Sequence, residues 1–159
     1  MRNIIEQIIT LYPNNQLFIS LDSGDAVIGT SGGIRLGPNG ESGVFELIQS
    51  VGTFRQYISI CSIDTITING ATYNDNITYL PAPDPALTGC CSDCDAVMRD
   101  ILPVGTTGVN IVTNTQITTQ GDIIENQPGM LVVNNPARNN ITFVSSCRVD
   151  VAYVEPEEA

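Results

Sequence analysis

The side chains best placed to do chemistry in this chain are its five cysteines, Cys61, Cys90, Cys91, Cys94 and Cys147. Three of them crowd into Cys90-Cys91-Ser92-Asp93-Cys94, behind Gly89 and the alternate prolines Pro81, Pro83 and Pro85. A pair spaced like Cys91 and Cys94 can ligate zinc, but a closed site takes four ligands. The chain has no His and no second C-x-x-C, so zinc would have to recruit Cys90 and a distant cysteine. A thioredoxin-like redox role places its motif at a helix N-terminus in a different fold. Beside that zinc site, two readings stand: free thiols clustered without a role, or covalent cross-linking within or between subunits. The odd total favours at least one bond between chains once the protein is oxidised. Cys90, Cys91 and Cys94 are therefore the expected cross-linking residues, on an exposed connector. Cys61 and Cys147 lie in strand-like runs. Alternation puts Cys147 on a face with Ile141, Phe143 and Val149, and Cys61 on one with Tyr57 and Ile63. Both are expected as small core side chains closed to alkylation. No catalytic residue, metal or cofactor is expected.

The residue types that are missing narrow the chemistry further. Without His or Lys, the chain lacks the commonest general base, the commonest metal ligand and the Schiff-base amine. Its 17 carboxylates against six arginines leave a formal charge of −11. Nucleic-acid binding draws on cations that displace phosphate counterions, and adhesion to anionic lipid draws on the same groups, so neither partner is expected. Charged residues make up only 14% of the chain, and Thr, Asn, Ser and Gln must cover the surface instead. The first thirteen residues break their apolar stretch with Glu6 and Gln7 and show no small-residue cleavage site. No apolar run reaches the length of a membrane span. Synthesis in the cytoplasm without a signal peptide is the expectation.

The elements that must position these residues come in two similar sets. Ile4, Ile5, Ile8, Ile9 and Tyr12 recur at helical spacing behind Asn3 as N-cap, and Pro13 ends the run. Strands are expected over Leu17–Leu21 and Ala26–Leu36, the latter kinked at its glycines, then over 44–50, 54–63 and 65–68. The second half repeats the order: a helix over 95–102 ahead of Pro103, then strands over Val109–Thr113, 116–125, 130–133, 140–149 and 151–154. The hexapeptide S-I-C-S-I-D at 59–64 returns as S-S-C-R-V-D at 145–150. Pairing Gly29 with Gly121 sets an offset of 92 residues, and pairing Cys61 with Cys147 one of 86. The drift falls in loops, where insertions cost little. The units are 1–71 and 95–154, joined by a Pro/Cys-rich connector over 72–94 and followed by an acidic tail over 155–159.

A short helix followed by five strands, with a glycine-bent second strand entered through Asp22-Ser23-Gly24 and a short fifth strand, resembles the Sm-like small β-barrel, here twice over. The fold class expected is mainly β, as two tandem five-stranded small barrels, Sm-like or SH3-like, each preceded by a short helix. Sm-like proteins form rings by pairing the fourth strand of one unit with the fifth of the next, and many bind RNA through an Arg-Gly pair between those strands. Here the corresponding segments read Ile63-Asp64-Thr65 and Val149-Asp150-Val151, without that pair. The resemblance therefore implies edge-strand assembly and not RNA binding.

The function expected is that of a structural subunit that assembles with copies of itself into a layer, ring stack or filament, stabilised by disulfides and without enzymatic activity. Duplicated barrels carry two sets of edge strands, which template pairing. The neutral polar surface lets packed subunits bury few charges. In style the chain is similar to the spore-coat and exosporium proteins of endospore-forming bacteria, which implies deposition on a spore surface. The alternative is a peptide- or carbohydrate-binding module, for which Tyr73 and Tyr79 are the only suggestive aromatic pair.

Overall fold

Isoleucines at 4, 5 and 8 give the N-terminal helix one apolar stripe, and all three are buried beneath it. In the computed structural model, which describes residues 1–49, 54–113 and 118–154, this helix α1 spans Arg2–Leu11. Its N-cap is Met1 rather than Asn3, whose side chain instead donates to Thr78 O. Then come β1 (Leu17–Leu21), β2 (Ala26–Leu36), β3 (Gly43–Ile48), β4 (Arg55–Ser59), a single 3₁₀ turn (Ile60–Ser62) and β5 (Ile63–Asn69). The second half copies the order as α2 (Cys90–Ile101), β6 (Val109–Thr113), β7 (Thr118–Gln127), β8 (Met130–Asn135), β9 (Asn140–Ser145), a 3₁₀ turn (Ser146–Arg148) and β10 (Val149–Tyr153). The start of the strand expected over 116–125, the end of that over 44–50 and the acidic tail fall outside the described residues.

The strands form one continuous antiparallel sheet of ten, ordered β10-β6-β7-β8-β9-β5-β1-β2-β3-β4. Within each half the order is fifth, first, second, third, fourth. The long second strand serves two neighbours in each half. The first part of β2 pairs with β1 and its later part with β3; β7 divides itself between β6 and β8 in the same way. Glycine permits this switch. A Cβ on Gly29 would lie 2.6 Å from Ile48 O, and one on Gly121, at φ +149°, closer still to Asn134 O.

The structure does not clearly divide the halves into two separate barrels, because β5 pairs with β9 and joins them in one sheet. The fifth strand of the first half is consequently no free edge: β5 has β1 on one side and β9 on the other. Two apolar clusters lie on either side of this arrangement. The larger joins α1, β1, β3, β5 and Ile77 to Met130, Val132, Ile141 and Phe143 from the second half. The smaller holds Leu102, Val109, Ile111, Ile123, Leu131, Val133 and Val144. Because successive strand residues point to opposite faces, β8 and β9 feed both clusters, one residue to each in turn. The stretch from 72 to 89 is neither helix nor strand, yet its first part is anchored to the fold at several points. Ile77 is buried, the hydroxyls of Tyr73 and Tyr79 lie 2.8 Å apart, and Thr78 N donates to Gln7 Oε1. Among the described residues, no helix is long and apolar enough to cross a membrane.

Candidate functional site

The seam between the halves shows what these sheet edges can do. Thr65, Ile66, Thr67, Ile68 and Asn69 of β5 lie opposite Val144, Phe143, Thr142, Ile141 and Asn140 of β9. On one face Ile66, Ile68, Ile141 and Phe143 are all fully shielded. On the other, Thr67 Oγ1 and Thr142 Oγ1 share a 2.8 Å hydrogen bond, and Ser20 Oγ bonds Thr65 Oγ1. Asn69 N donates to Gln16 O on the β1 side. Alternation then sends Thr67 N–H to β1 and the Ile66 and Ile68 N–H groups to β9.

One guanidinium also clamps the seam. Arg148, in the second 3₁₀ turn, donates Nη2 to Cys61 O at 3.0 Å. It sits 3.6 Å from Asp22 Oδ2 and 3.8 Å from Asp64 Oδ1. Asp64 is completely shielded, and neither of its carboxylate oxygens has a hydrogen-bond partner. Burial pushes its pKa above the usual carboxylate range; Arg148 opposes the rise, while Asp22 and Asp150 add to it.

At the two ends of the sheet, β4 and β10 each pair with one strand only among the described residues. They are the counterparts of β9 and β5. Tyr57 on β4 and Phe54 just before it are exposed, as are Val151 and Tyr153 on β10 and Val154 just after it. Gln56 Oε1, on β4, is buried without a hydrogen-bond partner. By equivalence with Ile66, the N–H of Ala152 on β10 points outward, away from β6.

The cysteines divide differently from expectation. Cys91 and Cys147 form a disulfide within the chain, with Cα atoms 5.1 Å apart, tying the start of α2 to the second 3₁₀ turn. Cys147 is thus not a free core thiol, and Cys61 is neither buried nor bonded but exposed, 3.3 Å from Ser42 Oγ. Both occupy 3₁₀ turns, where the alternation of a strand no longer applies. Ile60 and Ser146 take the inward positions there. Cys90 and Cys94 are exposed and carry no disulfide within the chain, and they lie inside α2, which begins at Cys90 and not at Asp95. One helical turn brings their sulfurs within 3.9 Å, and this contact raises the Cys94 pKa. If the helices are aligned on Pro13 and Pro103, Met1 stands where Cys91 does; it lines a cleft with Cys61, as Cys91 lines one with Cys147. Asp95 holds the second 3₁₀ turn against α2 by accepting from Ser146 Oγ and from Gly129 N, and it pairs with Arg99 at 3.1 Å.

Sequence reasoning missed Asp64, Arg148 and Gln56. The available signal for the first was an acid inside the run Ile63-Asp64-Thr65-Ile66-Thr67-Ile68. Among the described residues, no group of three or more Cys, Asp or Glu side chains gathers as a metal site. No protein-family model matches the chain, and no curated protein and no solved structure matches it either.

Proposed function

We propose that this chain is a structural subunit that assembles with copies of itself head to tail, each half being a small Sm-like barrel unit. The observation that carries this reading is the β5·β9 seam. One fourth strand already docks on one fifth strand within the chain, and the remaining fourth and fifth strands, β4 and β10, stand at opposite ends of the same sheet. An edge strand presents unpaired N–H and C=O groups, and a second chain can satisfy them by strand addition.

Transferring the internal register sets the contact. Val151, Ala152, Tyr153 and Val154 of one copy come opposite Ile58, Tyr57, Gln56 and Arg55 of the next. Tyr153, a donor, thereby meets Gln56, whose buried Oε1 lacks one. The exposed apolar side chains of both edges become covered. Past Val154 the sequence continues with Glu155, Glu157 and Glu158, opposite in sign to Arg55 and Arg35 of the receiving edge. Disulfides play two parts in this reading. Cys91–Cys147 fixes the fold of the subunit, and Cys61, Cys90 and Cys94 remain for bonds between copies. Nucleic acid and membrane have no place as partners, given the charge of −11.

Sedimentation velocity over a concentration series tests the reading. Association should grow with concentration, and Ala152→Pro, which deletes an outward donor, should abolish it while leaving the monomer folded. A monomer at every concentration, salt and redox condition would defeat the proposal.

A further inference from the structure

The two ends of this chain do not reproduce its internal seam in every side chain, and the difference falls on a charge. In the seam, a bulge in β5 against β1, between its pairings at Ile63 and Thr65, sets Asp64 apart from the regular ladder. Its carboxylate is fully shielded. Arg148 reaches it across the seam from the second half, at 3.8 Å. Repeat equivalence carries Asp64 onto Asp150, which occupies the matching bulge of β10 between Val149 and Val151 and is exposed in the single chain. The same equivalence carries Arg148 onto Ser62. A second copy docked on β10 would therefore enclose Asp150 as Asp64 is enclosed, but it would bring a serine where the seam brings a guanidinium.

The charges around Asp150 do not repair this. Its own Arg148 is engaged with Asp64, Asp22 and Cys61 O. Its own Asp64 is of like sign and close enough to feel the Asp150 charge, so it offers no compensation. From β6 it faces the neutral Thr113 opposite Val149. The arriving copy offers Ser62 followed by another Asp64. That copy's cation on the docking strand, Arg55, comes opposite Val154 at the far end of the contact, with Arg35 beyond it across the ion pairs to Glu46. An enclosed carboxylate without a cation strongly disfavours the state that encloses it.

We propose that Asp150 and Ser62 gate assembly by charge: copies join when Asp150 is neutral and separate when it is ionised, whereas the internal seam stays closed because Arg148 spans it. This deepens the head-to-tail reading and rests on it. Protonation would then drive association, by up to about tenfold per pH unit for one proton per contact.

The test is sedimentation velocity of the full chain at pH 7.5 and pH 5, on the natural sequence, Asp150→Asn, Ser62→Arg and the charge-matched control Asp75→Asn on an exposed turn. The natural chain should associate at least tenfold more strongly at pH 5. Asp150→Asn should associate at pH 7.5 as the natural chain does at pH 5 and lose most of its pH dependence. Ser62→Arg should strengthen association at pH 7.5 by supplying the absent partner. An Asp150→Asn chain with unchanged affinity and pH dependence overturns the gate, as does an Asp75→Asn chain with the same gain, which would assign the effect to net charge. Monomers throughout, for all four proteins at both pH values, would instead remove the self-assembly reading beneath it.

Discussion

Two equivalent sheet faces carry opposite chemistry. On β8 and β9 the face turned toward the larger core holds Val132, Ile141 and Phe143, all fully shielded. The same positions on β3 and β4 hold Glu46, Arg55 and Tyr57. There the Glu46 carboxylate pairs with Arg55 and, at 3.9 Å, with Arg35, whose guanidinium lies 5.5 Å from the Tyr57 ring centre. The backbones of the two faces are alike, down to the register of the strands. One face is a permanent interior wall, stabilised by apolar burial of the order of 2 kcal/mol per large side chain. The other holds a shielded Glu46 carboxylate beneath two arginines that reach into water, so charge pairing takes the place of apolar burial there. Charge on an edge is also how sheets avoid uncontrolled pairing. The difference teaches that the same strand arrangement can carry a closed apolar seam in one half and a charged, solvent-facing wall in the other.

The comparison is broken most easily at its aromatic pair. Phe143→Ala should cost about 3–5 kcal/mol of stability, while Tyr57→Ala at the equivalent outer site should cost less than about 1 kcal/mol. Urea denaturation of the two variants checks this, and equal losses would erase the distinction. Proline sharpens it next. Thr67→Pro removes a donor to β1 from a strand paired on both sides and should cost about 3 kcal/mol or more. Ala152→Pro at the outer edge should leave the monomer within about 1 kcal/mol of the natural chain by the same measurement.

A disulfide comes third. Cys91→Ser with Cys147→Ser should lower stability by about 2–4 kcal/mol under oxidising conditions, and reductant should do the same to the natural chain, because the bridge closes a loop with a sequence separation of 56. In non-reduced peptides, mass spectrometry should find 91 joined to 147, with Cys61, Cys90 and Cys94 alkylated in the folded protein. The smallest effect belongs to Asp64. Its folded pKa lies above its unfolded one, so the native state holds the proton more tightly. Stability therefore falls as pH rises from the ordinary aspartate range up to that raised value, and is flat on either side. Asp64→Asn should flatten the profile, as measured by thermal unfolding from pH 3 to pH 8.

Much of the fold was legible because its signals are local. The isoleucine stripe of α1, the glycines at 29 and 121, and the returning hexapeptide all survive into the structure. The start of α2 was hidden, since Cys-Cys-Ser-Asp-Cys has no apolar period to announce a helix. The cysteine environments were misread because three residues of 3₁₀ turn interrupt what looks like one long strand, and alternation fails across them. The seam itself was out of reach of periodicity. Thr65 and Thr142 are buried but read as a solvent face, since threonine suits both settings. The arginine clamp joins residues more than eighty positions apart, which spacing cannot show.

The two-sided burial of β8 and β9 has a consequence for how the chain can unfold and diversify. Met130 and Val132 belong to one core, Leu131 and Val133 to the other, so this strand pair is a party wall between two rooms. Removing the second half would leave the first without its far wall. Removing the first would strip cover from Ile141 and Phe143. Neither half is then a transferable module, despite the matching order of their elements. The chain should melt in one cooperative transition, and recombination can move the pair only as a unit.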